Sequence, residues 1–281
     1  MKKILLLSAL LILACSSDDS SDTNDNNNTS SQKLIESLTL HSIQTCETYG
    51  GFTDYHITNC NYNDNNLITS LTSQFYEFSC PDNFYYREEK TENYEYFEGY
   101  VVASSNGGVN QIDLNENGNV DTYNLTQSGV TYVHNITYEN GYIERISRVN
   151  GYFESQFNYE NGNLINTYSE FEDGDIYETN ITYTQYENKS KLYHPFLSYL
   201  TPYFPVQNFY GKNNTNLPAT FVRNRYNSDG ELVQNDTEYY NYIFDDDGYV
   251  IFVELGSYSD YNDYNISNSL IEITYKLTYT N

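Results

Sequence analysis

The sequence contains no tryptophan, one methionine, four histidines, four cysteines and five prolines. Basic residues are also scarce: 13 lysines and arginines face 39 aspartates and glutamates, a formal charge of −26. Such a surface repels nucleic acid and anionic headgroups, and the plainest role of the charge is solubility. No stretch beyond Leu13 is long and apolar enough to cross a bilayer as a helix. The histidines are His41, His56, His134 and His194, and neither a Gly-x-Ser-x-Gly elbow nor a His-Glu-x-x-His pair occurs. With so many carboxylates, some pair falls at glycosidase spacing by chance, and such a pair says nothing without a cleft. The sequence therefore names no catalytic residue. All prolines but one, namely Pro195, Pro202, Pro205 and Pro218, fall between residues 188 and 219. The rest of the chain is almost free of residues that cannot donate into a β ladder.

What the chain has instead is tyrosine, 33 residues of it, with 14 phenylalanines. Tyr132, His134, Ile136 and Tyr138 alternate with polar residues, as do Phe153, Ser155, Phe157 and Tyr159, and Tyr177, Thr179, Ile181 and Tyr183. A period of two is the pattern of a half-buried antiparallel strand. Ile271, Ile273, Tyr275, Leu277 and Tyr279 give a similar strand at the end of the chain.

Turn signals separate these strands. Asn-Gly or Asp-Gly pairs stand at 117–118, 140–141, 150–151, 161–162, 173–174, 229–230 and 247–248. Each predicts a hairpin, because a type I′ turn needs φ > 0 at both central residues. The fold class is all-β: a large curved antiparallel sheet of successive hairpins, half-barrel or barrel-like, with closure left open. Residues 33–108 are less regular than 109–281. Two strands flank Gly50-Gly51, a third covers 67–79, and Tyr94–Ala103 reads as one more. The Pro/Asn-rich stretch at about 188–219 leaves the sheet, with enough apolar surface near His194-Pro195-Phe196 to pack as a plug or cap.

The first 14 residues read as a signal peptide: Lys2 and Lys3, then an apolar run from Ile4 to Leu13. The run ends in Leu-Ile-Leu-Ala-Cys at 11–15, which resembles the lipobox of bacterial lipoproteins. That resemblance implies a diacylated Cys15 anchored in the outer membrane. Residues 15–32 form an acidic Ser/Asp/Asn tether without an apolar side chain after Cys15. Its reach is about 20–25 Å. The Ser/Asp cluster at 16–22 is similar to the surface-export signal of Bacteroidetes lipoproteins, which implies the outer face of the membrane.

Of the remaining cysteines, Cys60 and Cys80 stand at opposite ends of the strand at 67–79, too far apart for a disulfide. This leaves Cys46 with Cys80 as the preferred pair outside the cytoplasm. One loop has metal-site spacing. Asp113, Asn115, Asn117 and Asp121 match oxygen-ligand positions of an EF-hand loop, with Gly118 and Val120 at the expected places. Asn124 replaces the bidentate glutamate, and strands replace the flanking helices. A calcium site and a plain acidic hairpin tip both remain open, and no other cofactor is implied.

Several features together resemble Bacteroidetes surface lipoproteins of unknown function with a porin-like β fold. They are the lipobox at 11–15, Tyr-Glu-Asn-Gly at 138–141 and 159–162, the interruption at 194–218 and Tyr-Ile-Phe-Asp-Asp-Asp-Gly-Tyr at 242–249. Similar tyrosine and glycine spacing occurs in YD-type repeats. The resemblance implies the fold and the address, but no activity and no site residue. The expectation is a lipid-anchored, non-enzymatic binding or structural module, with a glycan or protein ligand on a tyrosine-rich sheet face. The alternative is a surface enzyme or accessory factor acting on polysaccharide.

Overall fold

The alternation read from the sequence becomes sixteen antiparallel strands in a computed structural model that describes residues 33–44, 52–79, 84–105, 108–127, 130–149, 151–191, 210–261 and 270–280. They are β1 (Ile35–Gln44), β2 (Phe52–Tyr62), β3 (Ile68–Ser79), β4 (Phe84–Phe97), β5 (Tyr100–Ser105), β6 (Gly108–Leu114), β7 (Val120–Gln127) and β8 (Val130–Glu139). Next come β9 (Tyr142–Arg148), β10 (Phe153–Glu160), β11 (Asn163–Phe171), β12 (Ile176–Glu187), β13 (Asn216–Tyr226), β14 (Leu232–Phe244), β15 (Val250–Tyr261) and β16 (Leu270–Tyr279). Each strand pairs with its sequence neighbours. The sheet closes where β1 meets β16, from Ile35↔Tyr279 to Gln44↔Ile271. Closure removes both exposed edges.

Where side chains are described, the closed barrel is mainly apolar inside, with buried polar positions such as His134, Ser155, Thr167 and Thr179, and mainly polar outside. On β10 the inward side chains are Phe153, Ser155, Phe157 and Tyr159, and the outward ones are Glu154, Gln156, Asn158 and Glu160. Every strand adds at least one residue to a single hydrophobic cluster, including Ile68, Val101, Ile112, Val120, Ile146, Leu164 and Leu217. Burying one such side chain contributes about 1.5–3 kcal/mol. The outer wall is crossed by polar pairs instead. Examples are Ser37 with Thr278, Asn61 with Ser70, Thr182 with Thr220, and Asn166 with both Asn158 and Asn180.

One end of the barrel is closed by design of its turns. Here a tyrosine near the end of each of six strands points inward and down onto neighbouring backbone. Tyr62, Tyr96, Tyr138, Tyr183, Tyr242 and Tyr279 donate their hydroxyls to the carbonyls of Ile35, Ile68, Val120, Leu164, Pro218 and Val250 at 2.6–2.8 Å. Each lies on an even-numbered strand and reaches a carbonyl near the start of the strand before it. Each bond contributes about 1 kcal/mol, and together they fix register next to the turns.

The turns are of two kinds, where the sequence predicted one. Asn140-Gly141 and Asn161-Gly162 have positive φ at both residues and are the expected type I′ pairs. At Gly118, Gly174, Gly230 and Gly248 only the glycine is left-handed. These are type I turns ending in a glycine bulge, closed by bonds such as Gly118 N to Asn115 O and Asn115 N to Asn119 O. In three of them the first residue, Asn115, Asn227 or Asp245, accepts two further amide bonds through Oδ1. That side-chain bridge makes the backbone choose type I.

Two further expectations change. Tyr94–Ala103 is not one strand: Glu98-Gly99 turns the chain, with Gly99 at φ 81° and Phe97 opposite Tyr100. The Pro/Asn-rich excursion ends at Thr215, because β13 starts at Asn216 and includes Pro218. Pro218 sits where the β12–β13 register shifts, a place that needs no donor from it.

Of the excursion, residues 188–191 and 210–215 are described, and they cap the closed end. Lys212 N bonds Gly141 O at 2.8 Å and Thr215 N bonds Gly162 O at 3.0 Å, which ties the cap to both type I′ turns. Asn214 Oδ1 accepts from Leu164 N, and Ser190 Oγ accepts from Val250 N. The buried ring of Tyr210 packs beneath.

Candidate functional site

The opposite end carries the barrel's interior charge. His134 on β8 faces Arg148 on β9, and Thr179 on β12 faces Arg223 on β13. A run of rings lines this wall. His134 stacks on Tyr123 with centroids 4.9 Å apart, and meets Phe153 edge-on at 5.8 Å. Phe153 meets Phe171 at 5.1 Å, and Phe171 meets Tyr177 at 5.2 Å. Aromatic pairs of this geometry add about 0.5–1.5 kcal/mol each beyond their burial.

Three arginines stand among these rings. Arg225 lies over Tyr177 and donates to Asp175 Oδ2 through Nε at 2.8 Å. Arg223 approaches Glu238 at 3.9 Å. Arg148 lies flat against Tyr132, 3.9 Å from the ring centroid, and 5.6 Å from that of Phe153. Its Nε is buried without a hydrogen-bond partner. Beside it opens a pocket of about 390 Å³ lined by Arg148, Tyr152, Phe171, Glu172 and Asp173.

His134 is 3% exposed, and its Nδ1 has no partner. Burial, and then the positive charge of Arg148, lower its pKa to about 4. It is a neutral ring at physiological pH, suited to packing rather than to carrying a proton.

The residues singled out from the sequence fall elsewhere. Cys15, Cys46 and Cys80 lie outside the described residues. Cys60 is buried and free, and burial pushes its thiol up to about 11, which keeps it protonated and unreactive. The tyrosine stripes face the interior, so they do not form an open, half-wet sheet face. At the closed end their hydroxyls bind backbone.

The loop with EF-hand spacing is a hairpin tip between β6 and β7. Asn115 Oδ1 accepts from the amides of Asn117 and Asn119, and Asp113 accepts from Gln111 and Thr122. Asp113 pairs with Thr122 and Leu114 with Val120, so Asp121 is the extra residue of a bulge. Among the described residues, no group of three or more His, Cys, Asp or Glu is placed to hold a metal ion. Asn115→Ala should lower stability by about 1 kcal/mol through the lost turn bonds, equally in millimolar calcium and in chelator. A loss seen only with calcium in urea unfolding would make Asn115 a metal ligand instead.

Sequence reasoning missed Arg148 and the pocket. On β9 both Ile143 and Ile146 are buried, although they stand three positions apart. A bulge opposite Thr137–Tyr138 switches the inward parity, so period-two counting from Ile143 points Arg148 outward.

No protein-family model and no curated protein matches the sequence. Solved structures do match. A porin-like protein from Bacteroides uniformis superposes with a TM-score of 0.66 at 17% identity, covering 87% of this chain and 96% of that one. A porin-like protein from Bacteroides vulgatus superposes with a TM-score of 0.50 at 11% identity, covering 88% of this chain and 99% of that one. At these identities the likeness concerns the fold, and it bears out the porin-like β-barrel that the sequence resemblance implied.

Proposed function

We propose that this chain is a lipid-anchored outer-membrane protein whose barrel stands in water and serves as a non-enzymatic binding module. One observation carries the reading: the barrel is polar outside and apolar inside. A membrane-spanning barrel has the reverse order, with an outward apolar band about 25 Å tall and a polar lumen. Here the outward positions of β10 are Glu, Gln and Asn, and Asn166 bonds across to both neighbouring strands. Charged side chains at bilayer midplane cost about 2–4 kcal/mol each. Among the described residues the exposed large apolar side chains, such as Phe97, Val109, Ile165 and Tyr239, come from different strands, β4, β6, β11 and β14.

The membrane link is then the lipid on Cys15. The tether enters at Lys33, which is clamped at the closed end by Asp245 at 2.8 Å and Asp247 at 2.6 Å. The lipidated end therefore joins the capped end, and the pocket beside Arg148 lies toward the other. The cap and the cluster of buried inward side chains argue against a through-channel.

Cys15→Ser in the full chain should move the protein from the membrane fraction to the soluble fraction without detergent. If the variant stays in carbonate-washed membranes, the strands themselves hold it there and the reading is wrong.

A further inference from the structure

We infer that the pocket beside Arg148, between the β9–β10 and β11–β12 turns, is a binding site for an acidic sugar, anchored by Arg148. This rests on the binding-module reading and gives it a ligand class. The anchor comes first. Arg148 is held against Tyr132 at 3.9 Å, so its guanidinium is oriented and desolvated on one face. Its Nε is buried and unpartnered. The other two arginines of the wall have carboxylates, Glu238 for Arg223 and Asp175 for Arg225, and Arg145 on the outer surface has Glu154. Arg148 has no ion pair among the described residues. In a chain with 39 carboxylates, that vacancy is not for want of acids. Because Nε is buried, a ligand carboxylate in the pocket would take its two parallel bonds from the Nη1 and Nη2 side of the guanidinium.

The rest of the pocket sets the class. Glu172 and Asp173 line it with Arg148. They repel a compact anion, but they accept hydrogen bonds from hydroxyls. Tyr152 and Phe171 supply ring faces for the apolar side of a pyranose. A ligand with one carboxylate, several hydroxyls and one apolar face satisfies all of these groups. A volume of about 390 Å³ suits one or two sugar rings.

The test is calorimetric titration of the purified full chain with sodium glucuronate, galacturonate and N-acetylneuraminate, against glucose and inorganic phosphate. At least one acidic sugar should bind about tenfold tighter than glucose and phosphate. Arg148→Gln should lose about tenfold or more at an unchanged melting temperature, Arg148→Lys should recover only part, and Glu172→Gln should weaken the sugar without improving phosphate. Equal binding of phosphate would make this a plain anion site and overturn the sugar assignment. Equal binding of glucose, or an Arg148→Gln variant that binds like wild type, would overturn the anchor. Absence of any binding would remove the site, while the placement of the barrel in water is decided separately by the Cys15→Ser fractionation.

Discussion

Gly211→Ala should destabilise the barrel by about 2–5 kcal/mol, the largest effect expected of a single methyl group at the described glycines. Gly211 has φ +84°, where a Cβ costs about 1–2 kcal/mol in steric strain. The site is also full. An added Cβ would run into the carbonyl oxygen of Gly141, which is backbone and cannot swing away, and would stand 3.1 Å from the ring of Tyr138. That same carbonyl accepts the bond from Lys212 N, and the Tyr138 hydroxyl holds Val120 O. Relieving the clash therefore loosens the cap, a type I′ turn and the tyrosine ring together, a further cost of about 1–3 kcal/mol. Gly230→Ala is the control. Its φ of +81° is nearly the same, but nothing lies within 4 Å of the added atom. It should lose only the strain, about 1 kcal/mol. Equal urea midpoints for the two variants would show that the cap does not press on Gly141.

Acidification should weaken the protein through His134. Its folded value of about 4 lies below the value of 6.5 that it recovers on unfolding. Between those values the unfolded chain takes up a proton that the folded chain refuses. Stability is therefore full above pH 6.5, falls as pH drops, and reaches its full loss near pH 4. One pH unit is worth about 1.4 kcal/mol, so the whole window is worth about 3 kcal/mol. The first part, from pH 7 to 5.5, costs about 1 kcal/mol and is the cleaner measurement, because most carboxylates stay ionised there. Protonation of surface carboxylates would act in the opposite direction, by relieving the repulsion of a chain at −26. His134→Phe keeps a ring between Tyr123 and Phe153 and should abolish the drop. Denaturant unfolding at the two pH values decides it: a drop that persists in His134→Phe belongs to another group.

Much of the architecture can be read locally. Period-two alternation placed Tyr132, His134, Ile136 and Tyr138 on one face, and all four point inward. The Asn-Gly pairs at 140–141 and 161–162 are type I′ turns because asparagine tolerates the left-handed region. A finer signal was present as well. An Asn or Asp three residues before the glycine, as at Asn115, Asn227 and Asp245, marks the glycine-bulge turns, and Tyr138 and Tyr159 hold that place in the type I′ pair.

What the sequence by itself determined was most of the strands, most of their turns and the polar character of one strand face, since these depend on neighbours within a few residues. Only the tertiary structure decided whether the sheet closes, because alternation looks the same in an open sheet and in a barrel, and the pairing of β1 with β16 joins residues more than 200 positions apart. It also decided what the tyrosines are for. In the sequence they suit a wet sheet face, but closure turns that face inward, where ring hydroxyls find backbone carbonyls. The placing of Arg148 beside its pocket was illegible for a tertiary reason. Arg148 faces inward only because a bulge shifts its strand by one residue.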